Sequence, residues 1–167
     1  MPAKRTFAMV SSVCLLMAAK FFDRKLPPLS ELVKVLKRDK VTKEELAQTE
    51  LDVLQLLGWN LNAFTPHHFI EEAASLCGNY KMEGIVKEST LFFVDLSPYC
   101  YKALKFHPSM IACASMMIAW SSKGEPENVD KYTDTLAMAC KVKDTELKEA
   151  VTVLREYYFE MFPEQAD

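Results

Sequence analysis

Residues 50–69 read ELDVLQLLGWNLNAFTPHHF, the last turns of one helix, a short stop and the first turn of another. Leu51, Val53, Leu54, Leu56 and Leu57 form a broad apolar face at helical spacing. Gly58 can end that helix in the left-handed conformation, which an L side chain resists. Trp59 and Leu61 then place large apolar groups in the connection. Thr65 is suited to cap the next helix, and Pro66 suits its first position, where a missing N–H leaves no bond unmade. A connection this apolar implies that the two helices pack on a shared core.

The surrounding chain supports a helical domain. Of 167 residues, 50% are hydrophobic and 26% charged, enough apolar material for one globular domain or two small ones. A formal net charge of −3 disfavours binding to nucleic-acid phosphates, which calls for a basic surface. No uninterrupted apolar run reaches the roughly eighteen residues of a membrane span, so no membrane is expected. The opening MPAKRTFAMVSSVCLLMAAKFF has the basic-then-apolar order of a signal peptide. Lys20 and Asp23-Arg24-Lys25 follow at once, however, and Met17-Ala18-Ala19 sits inside a helical pattern. Five cysteines stand singly at 14, 77, 100, 113 and 140, an odd number without a CxxC pair. Reduced thiols in an intracellular compartment, nuclear or cytoplasmic, fit this better than a disulfide framework. Cys14 and Cys113, in apolar segments, are expected to act as small hydrophobes.

Helical patterns fill nearly the whole chain. Thr6 to Phe22 has no Gly or Pro and is apolar on most faces, which predicts a buried helix. Ser30 is placed to cap a helix over Glu31 to Lys37 after Pro27-Pro28. Thr42-Lys43-Glu44-Glu45 has the form of a capping box that opens a helix to about Leu57. Further helices are predicted from Thr65 to Cys77, Gly84 to Leu96, Ser109 to Ser122, Glu127 to Ala139, and Asp144, as cap, to Met161. Ser97-Pro98 interrupts the chain before a short turn over Tyr99 to Leu104. No segment alternates as a strand does.

A weak internal repeat runs through these helices. Ser11 to Ala19 matches Ile111 to Ala119 in character, both being apolar and rich in small residues. Each is followed by a Pro-containing turn, a shorter helix and a longer one, and each is expected at the centre of its bundle. With the connection at Gly58, this order resembles the cyclin family. The residues that carry the likeness are Met17-Ala18-Ala19-Lys20-Phe21, Pro27-Pro28, Thr49 to Leu57, Trp59, Leu61 and Thr65-Pro66-His67-His68-Phe69. In the second repeat they are Phe106 to Ala112 and Ala119. The resemblance implies an all-α, cyclin-like fold of two helical bundles. It implies a partial first box of about three helices over 1–62 and a five-helix second box over 63–167. The chain starts close to the first repeat's central helix, so about two helices of a full first box are expected to be missing. The segment Lys20 to Pro28 also departs from the family, being one residue longer and carrying Phe22 in place of an acid.

The same resemblance implies a cyclin-dependent protein kinase as partner. Lys20 and Glu50 would hold the backbone of the kinase's regulatory helix, the ammonium donating to carbonyls and the carboxylate accepting from N–H groups. Met17, Phe21, Leu54, Trp59 and Leu61 would lie on or beside the kinase-facing surface, although Leu54 serves equally well as core. Alternatives are a cyclin-fold adaptor that binds other proteins without activating a kinase, or a helical homo-oligomer. An incomplete first box would leave part of the Met9 to Phe22 helix uncovered, which favours a homodimer or segment exchange. Lys34, Lys37, Arg38, Lys40 and Lys43 form a basic cluster best read as a solvated helix end. No enzyme site, cofactor or metal site is expected. Gly occurs only at 58, 78, 84 and 124, without a phosphate loop, and His67, His68 and His107 lack metal-ligand spacing.

Overall fold

The computed structural model describes residues 2–22, 28–36, 40–78 and 81–165. Among them the chain is all-α, with eight α-helices and no strand. Asp23 to Pro27, and Lys37 and Arg38 of the basic cluster, lie outside the described residues. The chain divides into two compact units, 1–63 and 64–167.

The first unit holds α1 (Pro2–Phe22), α2 (Leu29–Val35) and α3 (Lys43–Leu56). The start of α3 follows from its sequence. Thr42 Oγ1 accepts from the Glu45 backbone N–H at 3.1 Å, and Glu45 Oε2 accepts from the Thr42 N–H at 2.9 Å. These are the two reciprocal bonds of a capping box. Glu45 then reaches α1, where Arg5 donates to its Oε1 at 2.6 Å. The Arg5 bond, with the Thr42 N–H second, holds the Glu45 carboxyl below its ordinary value. The helix ends as a Schellman motif. The Gly58 N–H donates to Gln55 O at 3.0 Å and the Trp59 N–H to Leu54 O at 2.9 Å. Gly58 takes φ +57° as predicted, but Trp59 also takes φ +61°, an uncommon backbone for an aromatic residue. Leu29 opens α2 behind Pro28, so Ser30 lies inside the helix and is not its cap.

The core of this unit is small. Val13, Leu16, Met17, Leu36, Val41 and Leu46 are buried, and Val33, Val53, Leu54 and Leu61 pack on them. The expectation that α1 is a buried helix is corrected. Phe7 (76% exposed), Leu15 (70%) and Phe22 (78%) are open to solvent, as is Cys14. Among the described elements α1 packs chiefly on α3, and one neighbour covers only one stripe of a helix. By length and composition Lys4–Phe22 is also apolar enough to cross a membrane. Its interruptions by Ser11 and Ser12 hide this when only unbroken apolar runs are counted. The shared core expected on both sides of Gly58 is corrected too. Leu46 of α3 belongs to the core just described, whereas Ile70, Ala73 and Ala74 of the next helix belong to another.

The second unit holds α4 (His67–Leu76), α5 (Gly84–Leu96), α6 (Pro108–Lys123), α7 (Pro126–Ala139) and α8 (Asp144–Met161). Two 3₁₀ turns, Ser97–Tyr99 and Tyr101–Lys105, connect α5 to α6. Every residue from Met110 to Trp120 is buried, and α4, α5, α7 and α8 all pack on α6. Ala112, Cys113, Ala114, Ser115 and Ala119 keep this helix thin, so four neighbours can approach at once. Leu136, Leu147 and Leu154 close the core at 0% exposure, each worth about 1.5–3 kcal/mol of burial. The first turn of α4 is capped in reverse of expectation. His68 Nδ1 accepts from the Thr65 N–H at 3.1 Å, so His68 fills the place that Glu or Gln has in a capping box. At α8, Lys143 stands at the cap and its N–H donates to Glu146 at 2.9 Å. Asp144 is therefore the first helical residue, where its carboxylate accepts from Lys148 at 3.1 Å.

Candidate kinase-binding site

Met17, Lys20 and Phe21 occur at i, i+3 and i+4 on the last turns of α1, so they share one face. Glu50 and Leu54 repeat the i, i+4 relation on α3. Because α1 packs on α3, Lys20 Nζ and Glu50 Oε1 meet at 2.5 Å. The family resemblance singled out both residues but did not show that they pair. The Lys20 side chain is 42% exposed and that of Glu50 only 15%. The carboxylate is thus anchored against the unit, and the ammonium stands at its edge with two further hydrogens to donate.

Beside this pair runs a groove of about 180 Å³ lined by Cys14, Met17, Ala18, Phe21, Phe22, Leu57 and Leu61. Three residues singled out from sequence, Met17, Phe21 and Leu61, line it. Met17 forms its buried floor, and Phe21, 52% exposed, stands against Phe22 with ring centroids 4.9 Å apart. Leu54 is half-buried and packs on the Met17 cluster. Trp59 is 64% exposed and stands outside the groove lining. Its exposure follows from the Schellman cap, which turns the chain away from the axis of α3 at Gly58 and Trp59. Cys14, Ala18, Phe22 and Leu57 are lining residues that sequence reasoning missed. The signal was present: positions 14, 17, 18, 21 and 22 follow the i, i+3, i+4, i+7, i+8 pattern of one helical face.

Among the described residues no group of three or more His, Cys, Asp or Glu could hold a metal ion. His67 and His68 point apart, the first to Asp95 at 3.0 Å and the second to Thr65.

Comparison with known proteins bears on both units. Residues 2–62 match the family described as cyclin, N-terminal domain, and residues 64–166 match cyclin, C-terminal domain. The chain is 30% identical to the G1/S-specific cyclin-D2 of Rattus norvegicus over 131 residues, which cover 78% of this chain and 45% of that protein. It is 30% identical to the G1/S-specific cyclin-D1 of Homo sapiens over 120 residues, 71% of this chain and 40% of that protein. The chain therefore spans less than half the length of these relatives. Two adjacent domain matches, in the order and all-α form that the repeat at Ser11 and Ile111 implied, establish that the chain belongs to the cyclin family.

Proposed function

We propose that this chain is a regulatory subunit that binds and activates a cyclin-dependent protein kinase, acting inside the cell, in the nucleus or cytoplasm. The observation that carries the proposal is the Lys20–Glu50 pair at 2.5 Å beside an apolar groove that Phe21 leaves partly open. A half-exposed ammonium held by a shielded carboxylate can grip the carbonyls at the end of a partner helix. The groove and Trp59 offer that helix apolar anchors, and a Trp at such an edge is a frequent hot spot. The kinase supplies ATP binding and phosphoryl transfer, and no catalytic residue is assigned to this chain.

Activation by such contacts is a shift of population. Taking a kinase from 1:99 to 99:1 in favour of its active placement needs about 5.5 kcal/mol of differential affinity. Truncating one partner of a desolvated charged contact costs about 2–5 kcal/mol. A 99:1 population rests on about 2.7 kcal/mol, so a loss at the lower end of that range leaves about three quarters of the kinase active and a loss at the upper end leaves about 2% active. Reconstitution with purified cyclin-dependent kinases tests this. Wild-type chain should bind and activate at least one of them, and Lys20→Ala and Glu50→Ala should activate it less. Binding without activation would instead identify an adaptor.

A second reading rests on the exposed face of α1. Phe7, Leu15 and Phe22 make it apolar enough to pair with a second copy, as a homodimer or by segment exchange. Light scattering separates the two, since a monomer at working concentration rejects self-association.

A further inference from the structure

We propose that Cys113 and Cys140 form a two-thiol site that reacts with hydroperoxides, Cys140 attacking and Cys113 resolving the product into a disulfide. Cys113 lies in α6 and Cys140 follows the last residue of α7, and the packing of these helices brings their sulfurs to 3.6 Å. A cavity of about 440 Å³ reaches both, with Phe69, Ala73 and Leu76 as apolar walls and Glu72, His107 and Lys141 as its charged and titratable groups. Cys140 is half-buried and accessible from that cavity, whereas Cys113 is 3% exposed. A small oxidant thus meets Cys140 first, with Cys113 already behind it.

The proton distribution agrees with those roles. The hydrogen bond from Cys113 lowers the Cys140 thiol to about 7 against the opposition of burial, and the Ser109 hydroxyl adds to the effect. That same contact, followed by burial, pushes Cys113 up, so the pair keeps its shared proton on Cys113. Cys77, near enough for its charge to oppose ionisation of Cys113, is itself raised by burial to about 11 and stays a thiol.

In the first step the Cys140 thiolate attacks one peroxide oxygen. The O–O bond breaks, the alkoxide or hydroxide leaves and takes a proton from solvent, and Cys140 becomes a sulfenic acid. Sulfur has lost two electrons and the peroxide has gained them. In the second step Cys113 attacks the Cys140 sulfur. The S–S bond forms as the S–O bond breaks, and the Cys113 proton leaves with the hydroxyl as water. The sulfurs must close by about 1.5 Å to reach bonding distance. Cys140 is the C-terminal cap of α7, its N–H donating to Leu136 O at 3.0 Å, and the chain leaves the helix at the next residue, Lys141, in the left-handed conformation.

The test treats the full chain with one equivalent of hydrogen peroxide, followed by non-reducing mass spectrometry. The expected product has lost two hydrogens and yields a peptide link between Cys113 and Cys140. In Cys113→Ala, which removes both the resolving thiol and the hydrogen-bond donor, the link should vanish, a dimedone adduct should appear on Cys140, and the pH midpoint of Cys140 alkylation should rise above that of wild type. Cys140→Ser should give neither link nor adduct on Cys113. Prior oxidation of the exposed Cys14, a link through any other cysteine, or an unmoved alkylation midpoint would overturn the proposal. The wild-type peptide map decides the pairing even if a variant folds poorly.

Discussion

Replacing Lys20 and Glu50 by Ala one at a time separates what the pair does for the fold from what it does in binding. In the free chain the pair joins α1 to α3 at 2.5 Å, with side chains 42% and 15% exposed. An exposed ion pair contributes about 0–1 kcal/mol, but the two truncations are not equivalent. Glu50→Ala leaves an ammonium that water can reach, so it should cost under about 1 kcal/mol. Lys20→Ala leaves a carboxylate shielded from water without its donor, which costs about 1–3 kcal/mol. At about 2–4 °C per kcal/mol for a chain of this size, Lys20→Ala should lower Tm more than Glu50→Ala. Kinase affinity should behave differently. A loss of about 2–5 kcal/mol for either residue, at 1.4 kcal/mol per tenfold, weakens binding by about thirty-fold to several thousand-fold. Thermal melts followed by circular dichroism measure the first quantity and titration calorimetry with a purified kinase the second. Kinase binding by both variants within about twofold of wild type refutes the assigned contact. A larger Tm loss for Glu50→Ala than for Lys20→Ala refutes the argument from burial.

Other consequences follow from the same geometry. Gly58→Ala meets no atom within 4 Å but must hold φ +57°, so it should destabilise the chain by about 1 kcal/mol in a denaturant titration. Trp59→Gly relieves the left-handed backbone at φ +61°; it should keep thermal stability while weakening kinase binding at least about tenfold, the usual scale for an interface Trp. Leu147→Ala, at 0% exposure beneath α6, should cost about 2–5 kcal/mol in urea unfolding. The Glu45 carboxyl is depressed below 4.5 chiefly by Arg5. Its contribution is thus fully present above 4.5 and is lost as pH falls through the lower folded value. An NMR titration of Glu45 should show its midpoint moving back toward 4.5 in Arg5→Ala.

Much of this protein was legible in local sequence. The capping box at Thr42 and Glu45 and the left-handed turn at Gly58 are short-range chemistry between residues a few positions apart. The capping-box bonds and the positive φ of Gly58 are the predicted ones. The same holds for α5, whose bounds, Gly84 and Leu96, are those expected. Burial was less legible. Both repeats begin with an apolar helix rich in small residues, yet α6 is enclosed by four helices and α1 leans chiefly on one. Composition measures how much of a helix could be buried, and only the number of its neighbours decides how much is.

The sequence by itself determined the helices and the caps at Thr42 and Gly58, because these rest on periodicity or on contacts within a turn, and the order of the helices carried the family resemblance. Tertiary structure alone decided three things. It paired Lys20 with Glu50, thirty positions away. It gathered Cys14, Ala18, Phe22 and Leu57 into the groove with Met17 and Phe21. It brought the thiols of Cys113 and Cys140 to 3.6 Å. Each depends on which face of one helix meets which face of another, and that is settled by packing across the whole core and not by any stretch read alone.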